Sequence, residues 1–348
     1  MSAILPIQAL RALAAFMVAV HHVQPDAAVL ARQGGLSFAR SDVLPWMAGV
    51  DIFFVVSGFI MVHASGSLFG RPDGPTLFLQ RRLARIVPLY WAATTLFLLT
   101  GLIVPALLNS GTPSLGQIAA SYLFWPAVSP QGLVQPVYSL GWTLNYEMLF
   151  YVLFAAALVL PARFVVAAVT FALVALVASE ALAGPLPLPF GFWGQPIVLE
   201  FAAGMGLALL RQRGLRLGAA LRWSFVAGAV LLLLSGQYLL LPAGPWRDLA
   251  VHGTAATLLV LAAVSGFQAG VPPRLMTAFA RVGDASYALY LVHPFAIRGS
   301  REVFTLAGIH EPALFVVVAL AVAVIAALVV HQLFEVPMTR GLRRLSGA

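Results

Sequence analysis

Long apolar segments separated by short polar connections run through the whole chain and limit it to one class of fold. Windows long enough to cross a bilayer as helices occur ten times, at residues 6–24, 45–65, 83–104, 139–160, 163–182, 196–210, 222–241, 248–267, 282–300 and 312–334. Hydrophobic residues make up 61% of the 348 residues and charged residues 9%, which is too apolar for a soluble domain. The sequence therefore predicts an all-α, polytopic integral membrane protein with about ten transmembrane helices.

Arginine is distributed unevenly over the connections between these windows. One alternating set carries fourteen arginines, namely Arg71, Arg81, Arg82, Arg85, Arg163, Arg211, Arg213, Arg216, Arg222, Arg274, Arg281, Arg340, Arg343 and Arg344. The opposite set carries five, namely Arg32, Arg40, Arg247, Arg298 and Arg301. Because cytoplasmic connections are enriched in basic residues, both termini are predicted to be cytoplasmic.

The remaining connections give no sign of a second domain. Residues 105–138 contain no charged side chain but do contain a short apolar stretch, Ile118–Trp125, so we expect this connection to lie at the outer interface or to re-enter the membrane. Neither an internal repeat nor a hydrophilic segment of domain size is visible. Residues 1–348 are interpreted as a single membrane domain with no appended soluble domain.

Composition excludes several kinds of chemistry. The chain has neither cysteine nor lysine, which rules out disulfides, thiolate metal sites, acyl-cysteine intermediates and Schiff bases. The net charge of +8 would suit nucleic acid, but the arginines lie at the ends of spans, so we expect no nucleic-acid partner. No pair of histidines or of histidine and glutamate has the spacing of a zinc motif, and we predict no metal.

Arg11 and His22 lie eleven residues apart in the first span, a spacing that places both side chains on one helix face, about 16 Å apart along the axis. Ala15 and Val18 continue this face, and their small side chains predict an open strip for a long anionic substrate. A neutral His22 can accept a hydroxyl proton near physiological pH, whereas neighbouring His21 points about 100° away. Alternatively, Arg11 extends to the lipid headgroups and His22 is an interfacial residue.

Two further spans contain polar groups with more than one interpretation. Arg82 and Arg85 share a helix face, and their guanidinium groups match phosphate oxygens, although the same run is an ordinary topological signal. Glu147 is either a buried hydrogen-bond hub, with Thr143 and Tyr151 one turn away on either side, or a direct part of a site.

The second and ninth spans add three candidates. Asp51 places a carboxylate in an apolar helix, and the Ser57–Gly58 step is interpreted as close helix packing rather than as a nucleophile, since no G-x-S-x-G motif occurs. His293 precedes Pro294 and either caps a broken helix or enters a site.

Six segments together resemble the acyltransferase-3 family of bacterial membrane proteins, in particular its exopolysaccharide O-acetyltransferase branch. They are Leu10–His22, Gly49–Phe59, Arg81–Trp91, Trp142–Tyr151, Tyr287–Pro294 and Phe334–Pro337. The resemblance maps a basic-x10-His motif onto Arg11 and His22, an Arg-x-x-Arg motif onto Arg82 and Arg85, and a Ser-Gly-Phe motif onto residues 57–59. Many relatives have serine where this chain has Thr143.

The resemblance implies transfer of an acyl group, usually acetyl from cytoplasmic acetyl-CoA, to a sugar hydroxyl of a cell-surface or exported polysaccharide or its lipid-linked precursor. The expected location is the bacterial inner membrane. The leading hypothesis has Arg82, Arg85 and Arg11 bind the donor. His22 then acts as general base or acyl carrier, with Glu147 or Asp51 orienting its ring. The expected substrate-binding residues are Ser57, Trp142, Tyr146 and His293.

Three alternatives stay open. A proton-coupled glycolipid transporter or flippase would use His22, Glu147 and Glu200 as a proton relay. A membrane sensor or assembly partner without catalysis would explain the topology but not the alignment of Arg11 with His22. Within the enzyme class, succinyl transfer is the alternative to acetyl transfer. The sequence does not identify the acceptor sugar, the modified hydroxyl or the oligomeric state.

Overall fold

The computed structural model describes residues 4–103, 111–238, 242–266 and 274–346, and these ranges contain helices and connections but no β-strand. The helices are α1 (Leu5–Gln33), α2 (Gly49–Ala64), α3 (Gly74–Ile103), α4 (Leu115–Tyr122), α5 (Trp142–Ala157), α6 (Ala162–Ala183), α7 (Phe190–Trp193), α8 (Leu199–Gln212), α9 (Ala219–Ser235), α10 (Pro245–Asp248), α11 (Thr254–Val264), α12 (Arg274–Asp284), α13 (Ser286–Leu306), α14 (Pro312–Val330) and α15 (Val336–Ser346). Each of the ten predicted spans overlaps a helix of this series, and residues 104, 239–241 and 267, at the ends of three windows, lie outside the described residues.

Six helical stretches in the described part of the chain are both long and apolar enough to cross a membrane. They are Leu5–Gln33, Trp46–Ala64, Gly74–Ile103, Ala162–Ala183, Pro245–Val264 and Pro312–Leu345. Alpha-helices satisfy their own backbone hydrogen bonds, which is what the apolar interior of a bilayer requires. The prediction of an all-α, polytopic membrane protein is confirmed.

Helices α1, α3, α13 and α14 extend beyond the predicted windows, and α1 and α14 show this at their C-terminal ends. Helix α1 continues through Pro25 to Gln33, nine residues past the window that ended at residue 24. Helix α14 passes through a π-helical turn, His331–Glu335, directly into α15. Hydropathy marks where apolar residues stop, but a helix continues for as long as its next turns find packing partners.

The chain forms two compact units. The first contains Met1–Ser57 and Leu210–Phe334, and the second contains Gly58–Leu209 and Glu335–Ala348. In the first unit, α1 packs against α11, α12, α13 and α14. Its core includes Val23 and Leu30 of α1, Ile297 of α13 and Phe315 of α14, all with at most 1% of their surface exposed.

The second unit has an aromatic core. The rings of Phe78 in α3 and Phe154 in α5 are 5.1 Å apart, and Phe150 in α5 stacks on Phe201 in α8 at 4.4 Å. The C-terminal helix α15 packs along α3, where the Thr339 hydroxyl donates to the Ala84 carbonyl at 3.3 Å.

The connection that was predicted to lie at the outer interface contains α4, which is fastened to α3 in the second unit. The indole N–H of Trp91 donates to the carbonyl of Tyr122 at 2.9 Å, and the hydroxyl groups of Thr95 and Tyr122 are 2.6 Å apart. Residues 104–110 lie outside the described residues. The outer location of this connection stays a prediction.

Candidate functional site

Two imidazole rings lie next to each other in the first unit, one on α1 and one on α13. The ring centroids of His22 and His293 are 5.2 Å apart and their planes are tilted by 40°. Nδ1 of His293 is 3.0 Å from the carbonyl oxygen of Leu289. Because a carbonyl oxygen can only accept, a neutral His293 carries its proton on Nδ1 and has its lone pair on Nε2.

The Nε2 atoms of both rings are buried and have no hydrogen-bond partner among the described residues. His293 has no exposed surface at all. Buried polar atoms in folded proteins are nearly always paired, so two unpartnered nitrogens on neighbouring rings mark a position for a water molecule or a substrate hydroxyl. Of the two interpretations of His293 made from sequence, a place in the site agrees with this geometry.

His21 occupies a different environment from His22. Its side chain is exposed, and its ring meets that of His22 edge to face at 5.1 Å. The helical phase relative to Arg11 selected His22 over His21 as the functional residue, and this burial pattern agrees with that choice.

A partly buried ion cluster connects the two helices that hold these histidines. Asp26 lies one turn after His22 on α1, and its carboxylate accepts from Arg301 at 2.8 Å and contacts Nε of Arg298 at 3.2 Å, both on α13. Arg301 also donates to Glu302 at 2.6 Å. Sequence analysis missed this cluster because the first span was predicted to end before Asp26.

The open strip predicted between Arg11 and His22 is wrong. Ala15 and Val18 have no exposed surface, and the start of α2 packs against this part of α1. A Cβ atom at Gly49 would collide with the Ala14 carbonyl, so glycine is required for this approach. Small residues on a membrane helix allow close packing of a neighbouring helix, and here they do so instead of lining a channel.

Arg11 itself belongs to a polar chain near the start of α1. It donates to the Gln8 side chain at 2.8 Å, and Gln8 donates in turn to Asp284 of α12 at 2.6 Å. One guanidinium N–H is therefore committed to the protein.

The two candidates on α2 have different surroundings. Asp51 is buried in the first turn of the helix, and Ser57 is partly buried near its middle. A Cβ atom at Gly58 would collide with the carbonyl of Phe201 in the second unit, so this glycine serves close helix packing, as the sequence indicated.

Glu147 and Arg82 belong to one polar group within the second unit. The Tyr151 hydroxyl donates to the Glu147 carboxylate at 2.5 Å, and both side chains interact electrostatically with Arg82. The Arg82 guanidinium lies over the Phe78 ring, 5.6 Å from its centroid, and its Nε atom is buried with no hydrogen-bond partner in the described ranges. Of the hydrogen-bond hub predicted for Glu147, the bond from Tyr151 is present, and Glu147 itself is half-buried.

Arginines from α3 and α15 gather in the same unit. Arg343 lies one turn after Thr339, on the side of α15 that contacts α3. It interacts electrostatically with Arg81, Arg82 and Arg85. Four like charges within range of one another repel, and an anion with several charged oxygens relieves that repulsion. The group therefore suits phosphates, and sequence analysis missed Arg343 because it served there only as a topological signal.

The aromatic candidates on α5 contact rings of the second unit. Tyr146 is buried and stacks on Phe192 of α7 at 4.2 Å, and Trp142 meets Tyr146 edge to face at 5.9 Å. Groups of three or more His, Asp or Glu side chains with the geometry of a metal site are absent from the described residues.

Comparison with known proteins identifies the family. The family model described as an acyltransferase domain matches residues 5–332. The chain belongs to the acyltransferase-3 family. It is 34% identical over 302 residues to the exopolysaccharide production protein ExoZ of Rhizobium meliloti (strain 1021), covering 84% of this chain and 89% of that protein. It is 27% identical, over a 379-residue alignment, to the acyltransferase MdmB of Streptomyces mycarofaciens, covering 96% of this chain and 91% of that protein.

No solved structure matches the chain. Membership of the family confirms the resemblance found in the sequence, and together with the helical architecture it makes the protein a multi-pass membrane acyltransferase. The roles of individual residues stay predictions.

Proposed function

We propose that this protein is an O-acyltransferase of the bacterial inner membrane. It transfers an acetyl group from cytoplasmic acetyl-CoA to a sugar hydroxyl of a cell-surface or exported polysaccharide or its lipid-linked precursor. The observation that carries the proposal is the pair of buried, unpartnered Nε2 atoms on His22 and His293. Similarity to a protein named for exopolysaccharide production supports the choice of a glycan acceptor.

His22 acts on the acceptor hydroxyl. As a base, its Nε2 takes the hydroxyl proton while the oxygen attacks the thioester carbonyl carbon, and the departing thiolate then receives a proton from the ring. As an acyl carrier, the same nitrogen would itself attack the carbonyl and pass the acetyl group to the hydroxyl in a second step. Both routes release free CoA and leave an ester on the sugar.

His293 supports the chemistry from the neighbouring helix. With its proton held on Nδ1 by the Leu289 carbonyl, its Nε2 accepts a hydrogen bond from the same hydroxyl or from a protonated His22. Sharing a proton between two imidazoles stabilises the charged state of His22 in a buried place where a single imidazolium is costly. Asp51, buried in the first turn of α2, remains the carboxylate proposed to orient His22.

Arg82 and Arg85 hold the phosphates of the donor, and Arg343 joins them from α15. Arg82 fits this role because its buried Nε has no hydrogen-bond partner among the described residues, the Phe78 ring lies against its guanidinium, and Tyr151 and Glu147 interact with it electrostatically. These contacts favour a role for Glu147 in positioning Arg82. Arg11 remains a proposed further contact to the anionic donor.

Transfer by the purified, full-length protein tests the proposal. The protein is incubated with acetyl-CoA carrying a labelled acetyl group and with the native glycan, and the product is analysed by mass spectrometry. We expect a gain of one acetyl mass on a sugar residue and stoichiometric release of CoA. In a parallel reaction, transfer from succinyl-CoA with none from acetyl-CoA would correct the donor, and a glycan that is the same with and without the protein in both reactions would contradict acyl transfer altogether.

A further inference from the structure

Aromatic rings from two separate connections of the second unit contact one another. Trp125 follows α4, and its ring meets that of Trp193 in α7 edge to face, with centroids 5.2 Å apart. The ring of Phe190 also contacts Trp193, with centroids 6.4 Å apart and planes again nearly perpendicular. We call these three residues the aromatic platform. On the topology predicted from the arginines, both connections lie outside the cytoplasm.

Hydrogen bonds hold the segment that carries two of these rings. The Glu180 carboxylate at the end of α6 accepts the backbone N–H of Leu186 at 2.9 Å, and the Gln195 side chain donates to the Gly191 carbonyl at 3.0 Å. Gly194 packs so closely on Glu180 that a Cβ atom there would collide with it. The platform is therefore preorganised, which lowers the entropic cost of binding a ligand.

Surface exposure and one unpaired donor together indicate the kind of ligand. Half of the surface of Trp125 (50%) and of Phe190 (53%) is exposed, whereas Nε1 of Trp193 is buried and has no hydrogen-bond partner within the described part of the chain. Lipid tails would cover the exposed rings without accepting the indole N–H, and lipid headgroups would accept it without stacking on the rings. A pyranose ring does both, because its C–H face stacks on aromatic rings and its hydroxyl groups accept hydrogen bonds.

The charge of the segments that carry the platform limits the class of ligand further. Residues 86–146 and 181–199, which carry the whole platform, include no charged side chain, and the neighbouring Glu180, which accepts the Leu186 N–H, is an anion. A sugar carrying a carboxylate, sulfate or phosphate would find no cation there to offset the loss of its hydration. An uncharged sugar has no hydrated charge to desolvate, so its binding does not require a cation.

We propose that Trp125, Phe190 and Trp193 bind a neutral pyranose residue of the glycan acceptor, with the indole N–H of Trp193 donating to one of its hydroxyl groups. This inference rests on the proposed function in taking a glycan as the acceptor. It adds a sugar-binding site and restricts the bound residue to an uncharged one.

Sugar binding by the purified full-length protein, in the absence of any acyl donor, tests the inference. Four probes are titrated while tryptophan fluorescence is recorded: cellotetraose, mannotetraose and galactotetraose as neutral ligands, and tetragalacturonate as the matched anionic ligand. We expect at least one neutral tetrasaccharide to bind and tetragalacturonate to bind more weakly. Trp193→Ala should weaken binding about two- to tenfold, the size of one aromatic contact.

Two further variants test the contribution of the Trp193 N–H and the location of the binding site. Trp193→Phe keeps a ring and removes the N–H donor, so its affinity should fall between those of the wild type and Trp193→Ala. Trp223→Ala, which removes an exposed tryptophan of α9 outside the platform, should bind sugar like the wild type. Retained CoA binding in each variant establishes that the protein is folded.

Failure of all three neutral probes to bind, or unchanged affinity in Trp193→Ala, would overturn the platform. Quenching of Trp125 and Trp193 fluorescence by brominated lipids, with no sugar relieving it, would also overturn the proposal, since the rings would then contact lipid at the membrane interface. Sugar binding with no acyl transfer would instead count against the proposed function and leave the platform standing.

Discussion

The ion cluster between α1 and α13 predicts that a single neutralised carboxylate changes both stability and turnover. Asp26→Asn keeps the shape of the side chain but removes the charge that faces Arg301 at 2.8 Å and Arg298 at 3.2 Å. The Asp26 and Arg301 side chains are only 12% and 14% exposed, whereas that of Arg298 is 35% exposed. Removing one partner of a fully buried pair costs about 3–5 kcal/mol.

That figure is an upper bound for this cluster. Water reaches Arg298, and Arg301 keeps its contact with Glu302 at 2.6 Å, so both cations retain part of their solvation or pairing. We expect Asp26→Asn to lose about 1–3 kcal/mol of unfolding free energy. Because Asp26 lies one turn after His22, the imidazole pair should also lose its alignment, and kcat should fall while the KM for the donor stays the same.

Thermal unfolding of the purified protein in detergent and steady-state acetyl transfer measure the two effects. Asp42→Asn is the matched control, since this exposed aspartate of the same unit should change stability by less than about 0.5 kcal/mol. Wild-type stability and wild-type kcat in Asp26→Asn would refute the view that this cluster holds the two histidines together.

Two further predictions concern the donor site and the topology. Arg82→Ala and Arg343→Ala should each weaken CoA binding, measured by calorimetry, by about ten- to a hundredfold, because each removes a charge-assisted phosphate contact. Arg344→Ala, which changes an exposed neighbour on α15, should bind CoA like the wild type. Equal affinities in all three variants would return Arg343 to a purely topological role. Because the chain has no cysteine, a single cysteine introduced at residue 131 is the only thiol that a labelling reagent can meet. It should react with an impermeant reagent added from outside the cell, whereas single cysteines introduced at the termini should not. Labelling of either terminus from outside the cell would contradict the predicted topology.

The sequence predicted the helices well because hydropathy and the thickness of a bilayer fix where a membrane helix can lie. It failed at several helix ends, those of α1 and α14 among them, where packing rather than hydropathy decides how far a helix continues. Pro25 is one such position, since the proline stands inside α1 although a proline often marks a helix end.

Contacts among the candidate residues were predictable only where one helix carries both partners. The Glu147–Tyr151 contact follows from a spacing of four residues, and the choice of His22 over His21 follows from helical phase. Asp26 and Arg301 are 275 residues apart in sequence, and no local pattern connects them. Small residues were the main source of error, because the same Ala15 and Val18 that would leave a channel open also let another helix pack tightly.

Acetyl transfer by single histidine variants tests the central claim most directly. His22→Ala should lower the rate by about 10²–10⁴ with CoA binding retained, His293→Ala should lower it by a smaller factor, and His21→Ala should stay close to the wild type. Near-wild-type transfer in His22→Ala, or greater damage from His21→Ala than from His22→Ala, would contradict the assignment of the buried imidazole pair as the site of acyl transfer.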